Sequence, residues 1–135
     1  MKVLIAGDFC ANNRVGTELR LHNYEGLFGQ VKPMVESADY SFVNLECPIV
    51  EHDAQPIPKC GPNLKGPREM VDALQWAGFK CCTLANNHIM DYDETGMLDT
   101  LMYLNERRID YVCGGILYGK HQKYYIRRLR EGLSQ

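Results

Sequence analysis

The sequence predicts an α/β fold with a mostly parallel sheet and flanking helices, and three observations carry that prediction. Four short runs, 2–6, 40–44, 80–84 and 110–113, are nearly all apolar on both faces, which is how strands covered by helices on both sides read. Amphipathic segments alternate with them. The resulting order β-α-β-α-β-α-β calls for parallel strands joined by right-handed crossovers.

Taken in order, the first strand (Lys-Val-Leu-Ile-Ala) runs into Gly7-Asp8. A helix is predicted over 24–37, where Leu27, Phe28, Val31, Met34 and Val35 fall at helical spacing. The strand 40–44 follows. Residues 45–67 carry four prolines between Pro48 and Pro62, together with Gly61 and Gly66. Regular structure is forbidden there, and so long a loop inside one domain is often functional. The next helix, 68–77, repeats the apolar spacing with Met70, Val71, Leu74 and Trp76, and Gly78 stops it. After the strand 80–84, a helix over 94–107 uses Met97, Leu98, Leu101, Met102 and Leu104 as its stripe. Asp93 and Glu94 sit at its positive end, with Arg107 and Arg108 at its negative end.

Composition narrows the function classes. A chain of 135 residues with net charge −2 and pI ≈ 6.1 is long enough for one core, and it lacks the basic stripe of a nucleic-acid binder or a polybasic membrane anchor. The apolar run at the start is too short for a signal peptide or a membrane span, so a cytoplasmic protein is expected. Six cysteines in that compartment, without a C-x-x-C spacing, read as reduced and mostly structural. Adjacent Cys81 and Cys82 would face opposite sides of a strand.

In open parallel sheets, ligands bind outside the carboxyl ends of the strands. Here those ends carry Gly7-Asp8, Asn44-Leu45-Glu46 and Asn86-Asn87-His88, with Asp91 three residues further on. Taken singly, Asp8 reads as a turn or cap residue, Asn86 and Asn87 as turn formers, and a histidine as structural. At three successive strand ends they form a candidate site. Oxygen and nitrogen donors of this kind suit Mn²⁺, Mg²⁺, Fe²⁺ or Zn²⁺. Such ions clamp a phosphoryl group and activate water, while a histidine oriented by Asp91 protonates the leaving group. His22, His52 and His121 lack comparable neighbours and read as surface residues.

The motifs I5-A-G-D-F9, A38-D-Y-S-F-V-N-L-E-C-P-I49, A77-G-F79 and T83-L-A-N-N-H-I-M-D-Y92, followed by Gly96 and Thr100-Leu101, resemble the CapA family of bacterial poly-gamma-glutamate capsule synthesis proteins over residues 1–115. That family is similar in fold to calcineurin-like metallophosphoesterases. The resemblance implies the N-terminal half of a metallophosphoesterase-like four-layer sandwich. It makes Asp8, Asn44, Glu46 and Asn87 metal ligands, with His88 as proton donor and Asp91 beside it. The metals would be Mn, Mg, Fe or Zn, and the partners capsule or polyglutamate synthesis proteins. Cys10 stands where the phosphoesterase pattern Asp-x-His has its histidine, and Asp93 where the family has glycine. The downstream histidines are missing, so the implied site is incomplete and activity of this chain alone weak or absent.

Residues 116–135 form a divergent basic tail. Read as a helix, Tyr124, Tyr125, Ile126 and Leu129 give a ragged stripe. Back-translation in a shifted frame yields Ser-Leu-Trp-Glu-Ala-Ser, a family-like continuation, so the tail is expected to be a frameshift product, with a natural short tail as the alternative. Three functions stay open: a metal-dependent phosphoesterase-like domain, a non-catalytic binding or assembly module of capsule production, and a non-functional fragment. The sheet would end at 110–113, so its open edge and an uncovered apolar face predict self-association.

Overall fold

The computed structural model describes residues 1–51 and 53–112, together with the backbone of two short strands in the tail. Four parallel strands, β1 (Val3–Phe9), β2 (Tyr40–Leu45), β3 (Cys81–Thr83) and β4 (Asp110–Val112), form one sheet in the order β1-β2-β3-β4. Cys113, expected to close the last strand, lies outside the described residues. So do His52 and the side chain of His121.

The helices depart from expectation in three ways. A helix absent from the sequence reading, α1 (Arg14–Arg20), follows β1. Its apolar content is slight, with only Leu19 fully buried among its side chains. The segment expected as one helix is two, α2 (Tyr24–Phe28) and α3 (Lys32–Glu36). Pro33 explains the break, because its ring collides with the carbonyl of Gly29 and offers no N–H to it. Asn23 starts α2 by accepting a hydrogen bond from the Gly26 amide at 3.0 Å. The two remaining helices, α4 (Glu69–Ala77) and α5 (Asp93–Glu106), lie where the apolar spacing puts them. On α5 only Met97, Leu101 and Leu104 of the expected stripe are buried, while Leu98 and Met102 are exposed.

Among the described residues the expected helices on both faces of the sheet are not found. Because β1 to β4 follow one another without a reversal of order, crossovers of a single hand place every connecting helix on the same side. Leu4, Val43, Leu45, Cys82, Leu84 and Tyr111 pack there against Leu19, Val35, Met70, Leu74 and Leu104. The other face carries Val3, Ile5, Tyr40, Phe42, Cys81 and Val112, placed together by the strand register. Ile5 is 81% exposed there. Apolar residues on both faces therefore signal one helix-covered side and one that is uncovered by any described helix. The Tyr40 and Phe42 rings pack at 5.0 Å, and the Tyr40 hydroxyl donates to Asp110 at 3.1 Å. Burial pushes the Cys81 thiol up to about 11, helped by the nearby Asp110 charge.

Gly78 ends α4 as expected, in the left-handed conformation at φ 88°, with its amide on the Leu74 and Gln75 carbonyls. The tail residues Ile116–Tyr118 and His121–Lys123 are strands, β5 and β6, paired antiparallel. Ile116, Leu117 and Tyr118 suit a strand, while Tyr124, Tyr125, Ile126 and Leu129 of the helical reading lie outside the described residues. The rest of the tail lies outside the described residues.

Asp93 takes up φ 56° at the first position of α5, a conformation that charges a side chain about 1 kcal/mol and glycine nothing. Asp93→Gly is therefore expected to melt higher than Asp93→Ala by roughly 3–5 °C. Thermal unfolding of the two variants followed by circular dichroism checks this.

Candidate functional site

The site begins with an irregularity in β1. Ala6 pairs with Val43 and Phe9 with Leu45, so Gly7 and Asp8 together stand opposite Asn44, a β-bulge. The extra residue turns Phe9 into the helix-covered core and delivers Asp8 to the side of Asn44. The Asn44 amide donates to the Asp8 carboxylate.

Asn44 is also the hub to the next strand. Its Oδ1 accepts from the Thr83 hydroxyl at 3.3 Å and from Asn86 Nδ2 at 3.2 Å. Asn86 Nδ2 further donates to the Leu45 carbonyl at 2.9 Å, and Asn86 Oδ1 accepts the amides of His88 and Ile89, each at 3.0 Å. This side chain thus caps the turn after β3 and fixes the backbone that carries His88.

His88 Nδ1 lies 2.8 Å from Asp91 Oδ2. Lys59 Nζ lies 3.3 Å from the same nitrogen; the carboxylate there accepts a proton from Nδ1 and leaves Nε2 as the ring nitrogen that Asp91 does not engage. Asp91 is fully buried. It forms an ion pair with Lys59 and accepts the Leu64 amide at 2.6 Å, while its own carbonyl accepts the Ile57 amide at 2.9 Å. Burial raises its carboxyl, but the hydrogen bonds from Lys59, Leu64 and His88 and the Lys59 charge outweigh it and hold the group below the ordinary 3.8. The long loop is thereby pinned to the histidine turn.

Of the residues expected in the site, Asp8 joins Asn44 and His88 joins Asp91, and Asn86 links the two pairs. Asn87 is exposed, and Glu46 is half-buried with its charge close to Cys10. Asn86 stood in the strand-end cluster as a turn former without a role of its own, and Lys59 was missed altogether. Asn86 was distinguishable from Asn87 only by its turn geometry. Lys59 sits in an irregular loop, where spacing says nothing about partners; the signal was a basic residue in a long loop facing a lone carboxylate.

Cys10 faces Cys47 across the strand ends at 3.1 Å between sulfurs. The shared hydrogen bond holds the Cys10 thiol below its usual range and, together with burial, pushes Cys47 up. Among the described residues, Cys10, Cys47, Cys60, Cys81 and Cys82 are all free thiols.

The donor set fits a divalent cation in part. Asp8 offers an exposed carboxylate, but Asn44 turns its nitrogen toward it and commits its oxygen to Thr83 and Asn86. Among the described residues no three His, Cys, Asp or Glu side chains converge on a metal position.

Residues 2–133 match the family described as bacterial capsule synthesis protein PGA_cap. The chain belongs to this family. It is 31% identical over 117 residues, 85% of this chain and 28% of the relative, to the capsule biosynthesis protein CapA of Bacillus anthracis. It is 28% identical over 109 residues, 81% of this chain and 29% of the relative, to the PGA biosynthesis protein CapA of Bacillus subtilis strain 168. The chain thus spans under a third of the length of these relatives. Among the described residues no helix is long and apolar enough to cross a membrane.

Asp91 sets a pH signature. A carboxyl depressed in the folded state adds stability that is fully present above the unfolded value near 3.8 and lost as pH falls through the lower folded value. Asp91→Asn is expected to cost about 2–4 kcal/mol at pH 7. The gap to the parent should close as pH falls below about 4. Urea denaturation across pH 3–7 measures both.

Proposed function

We propose that this chain contributes the strand-end half of a phosphoester-type hydrolase site to the production of a capsule polymer. The observation that supports this best is the unbroken hydrogen-bonded path Asp8–Asn44–Asn86–His88–Asp91–Lys59. It sets an exposed carboxylate and an oriented imidazole on the same edge of the sheet. Capsule production enters through the family and through the names of the two relatives.

In this reading His88 is the proton donor. Asp91 accepts the Nδ1 proton, so the proton to be transferred is a second one carried on Nε2, and the Lys59 ammonium balances the buried Asp91 carboxylate. The hydrogen bonds through Asn86 keep the His88 backbone from drifting, which matters because proton transfer requires hydrogen-bond reach. Asp8 would hold a divalent cation, Mn²⁺, Mg²⁺, Fe²⁺ or Zn²⁺, with Glu46 and Asn87 as further oxygen donors and Asn44 joining them once its amide turns its oxygen toward the cation. Such a cation supplies positive charge that polarises a phosphoryl oxygen. The shell is incomplete within the described residues, so turnover by this chain alone is weak or absent. Synthesis proteins of the capsule polymer are its partners.

A second reading is favoured by the exposure of Asp8 and the unfinished donor set: the edge binds a ligand without turning it over, as an assembly module. The two differ in a single assay. Hydrolysis of an aryl phosphate by the purified chain, dependent on added Mn²⁺, abolished by a chelator and lowered at least 100-fold in Asp8→Ala and in His88→Ala, is the expected outcome of the first. Calorimetric Mn²⁺ binding that Asp8→Ala removes, with no hydrolysis in any variant, assigns the chain to the second.

A further inference from the structure

We propose that Cys10 and Cys47 form a reversible dithiol–disulfide couple, an oxidation site that ties the end of β1 to the segment following β2. The sulfurs are 3.1 Å apart, so a bond of about 2.0 Å lies roughly 1 Å further in. The backbone makes that approach short. Phe9 and Leu45 are paired in register, and the Glu46 amide donates to the Phe9 carbonyl at 3.1 Å, so Cys10, one residue past Phe9, and Cys47, two past Leu45, leave adjacent parallel strands within one residue of each other.

Exposure divides the roles. Cys10 is half-buried, within reach of a small oxidant, whereas Cys47 is fully buried. The far side of Cys47 is filled by the Met70 thioether, 3.8 Å from its sulfur, and a thioether cannot enter a disulfide. With a hydroperoxide as oxidant, the Cys10 sulfur takes one oxygen to become a sulfenic acid and the peroxide's other oxygen leaves as water. The Cys47 sulfur then attacks the Cys10 sulfur, the S–O bond breaks and a second water departs with the Cys47 proton. Two thiols lose two electrons and two protons, and the peroxide takes them up. A small dithiol restores the pair by exchange.

Asp8 and Glu46 flank the two cysteines in sequence, so closing the bridge draws together the strand ends that carry them. This inference is independent of the phosphoester reading, since it needs only the two sulfurs.

The test treats the full chain with equimolar hydrogen peroxide, alkylates the free thiols and maps tryptic peptides by mass. A Cys10–Cys47 linked peptide, lighter by two hydrogens and abolished by dithiothreitol, with Cys60 alkylated, is expected. In Cys47→Ala the reaction should stop at a Cys10 sulfenic acid that dimedone traps. Conversion of Cys10 to sulfinic acid without a crosslink in the parent chain would overturn the proposal. So would a bridge from Cys10 to Cys60 or to a second chain, or full alkylation of both thiols after peroxide.

Discussion

A fully buried carboxylate organises the functional end of this fold. Removing Asp91 from water is costly unless its oxygens are satisfied, and the protein meets that demand with three donors from two segments: Lys59 and the Leu64 amide of the long loop, and His88 of the turn after β3. The loop has little regular structure to hold it otherwise. One isolated bridge, Ile49 with Gly66, pairs its two ends, and the Asp91 carbonyl takes up the Ile57 amide between them. The need to satisfy one charge thus closes the loop over the histidine and fixes the orientation of its ring.

A second constraint acts on the strand ends. A regular β1 would continue its alternation past Ala6 and place Asp8 on the helix-covered face and Phe9 on the open one. The bulge reverses this. Phe9 enters the core, where its ring meets Phe28 at 5.2 Å, and the carboxylate turns to Asn44. Asn44 and Thr83 share the open face through the strand register. The site therefore collects on the side that the helices leave free, and a core requirement and a functional one are met by the same inserted residue.

These constraints mark how far the sequence could be read. The strands were legible because each is a short apolar run between polar turns, and α4 because Met70, Val71 and Leu74 repeat at helical spacing before Gly78. The strand-end rule brought out Asp8, Asn44, His88 and Asp91. Helix α1 was not legible, since one fully buried leucine gives no periodicity. The division between α2 and α3 was present in Pro33 but was overridden by the apolar spacing around it. The same strand composition that suggested cover on both faces belongs to a sheet whose described helices lie on one face; the sequential strand order, rather than hydrophobicity, decides between them. Lys59 was hidden because ion pairs between a loop and a distant turn leave no period in the sequence.

The two halves of the site differ in how far they are prepared for chemistry. His88 and Asp91 are enclosed and multiply bonded, so their geometry is fixed in advance. Asp8 is exposed and held by the Asn44 amide, on a face where Ile5 is open to solvent. An exposed carboxylate acts through water, where a charge at 4 Å is worth about 1 kcal/mol, against about 4 kcal/mol near a protein surface of lower effective dielectric. Covering that face would thus strengthen the attraction of Asp8 for a cation while barely altering His88. The open apolar surface beside Asp8 also makes such cover favourable, because the same contact that excludes water from Val3, Ile5 and Val112 removes it from the carboxylate. Apolar burial and electrostatic focusing are coupled at this edge.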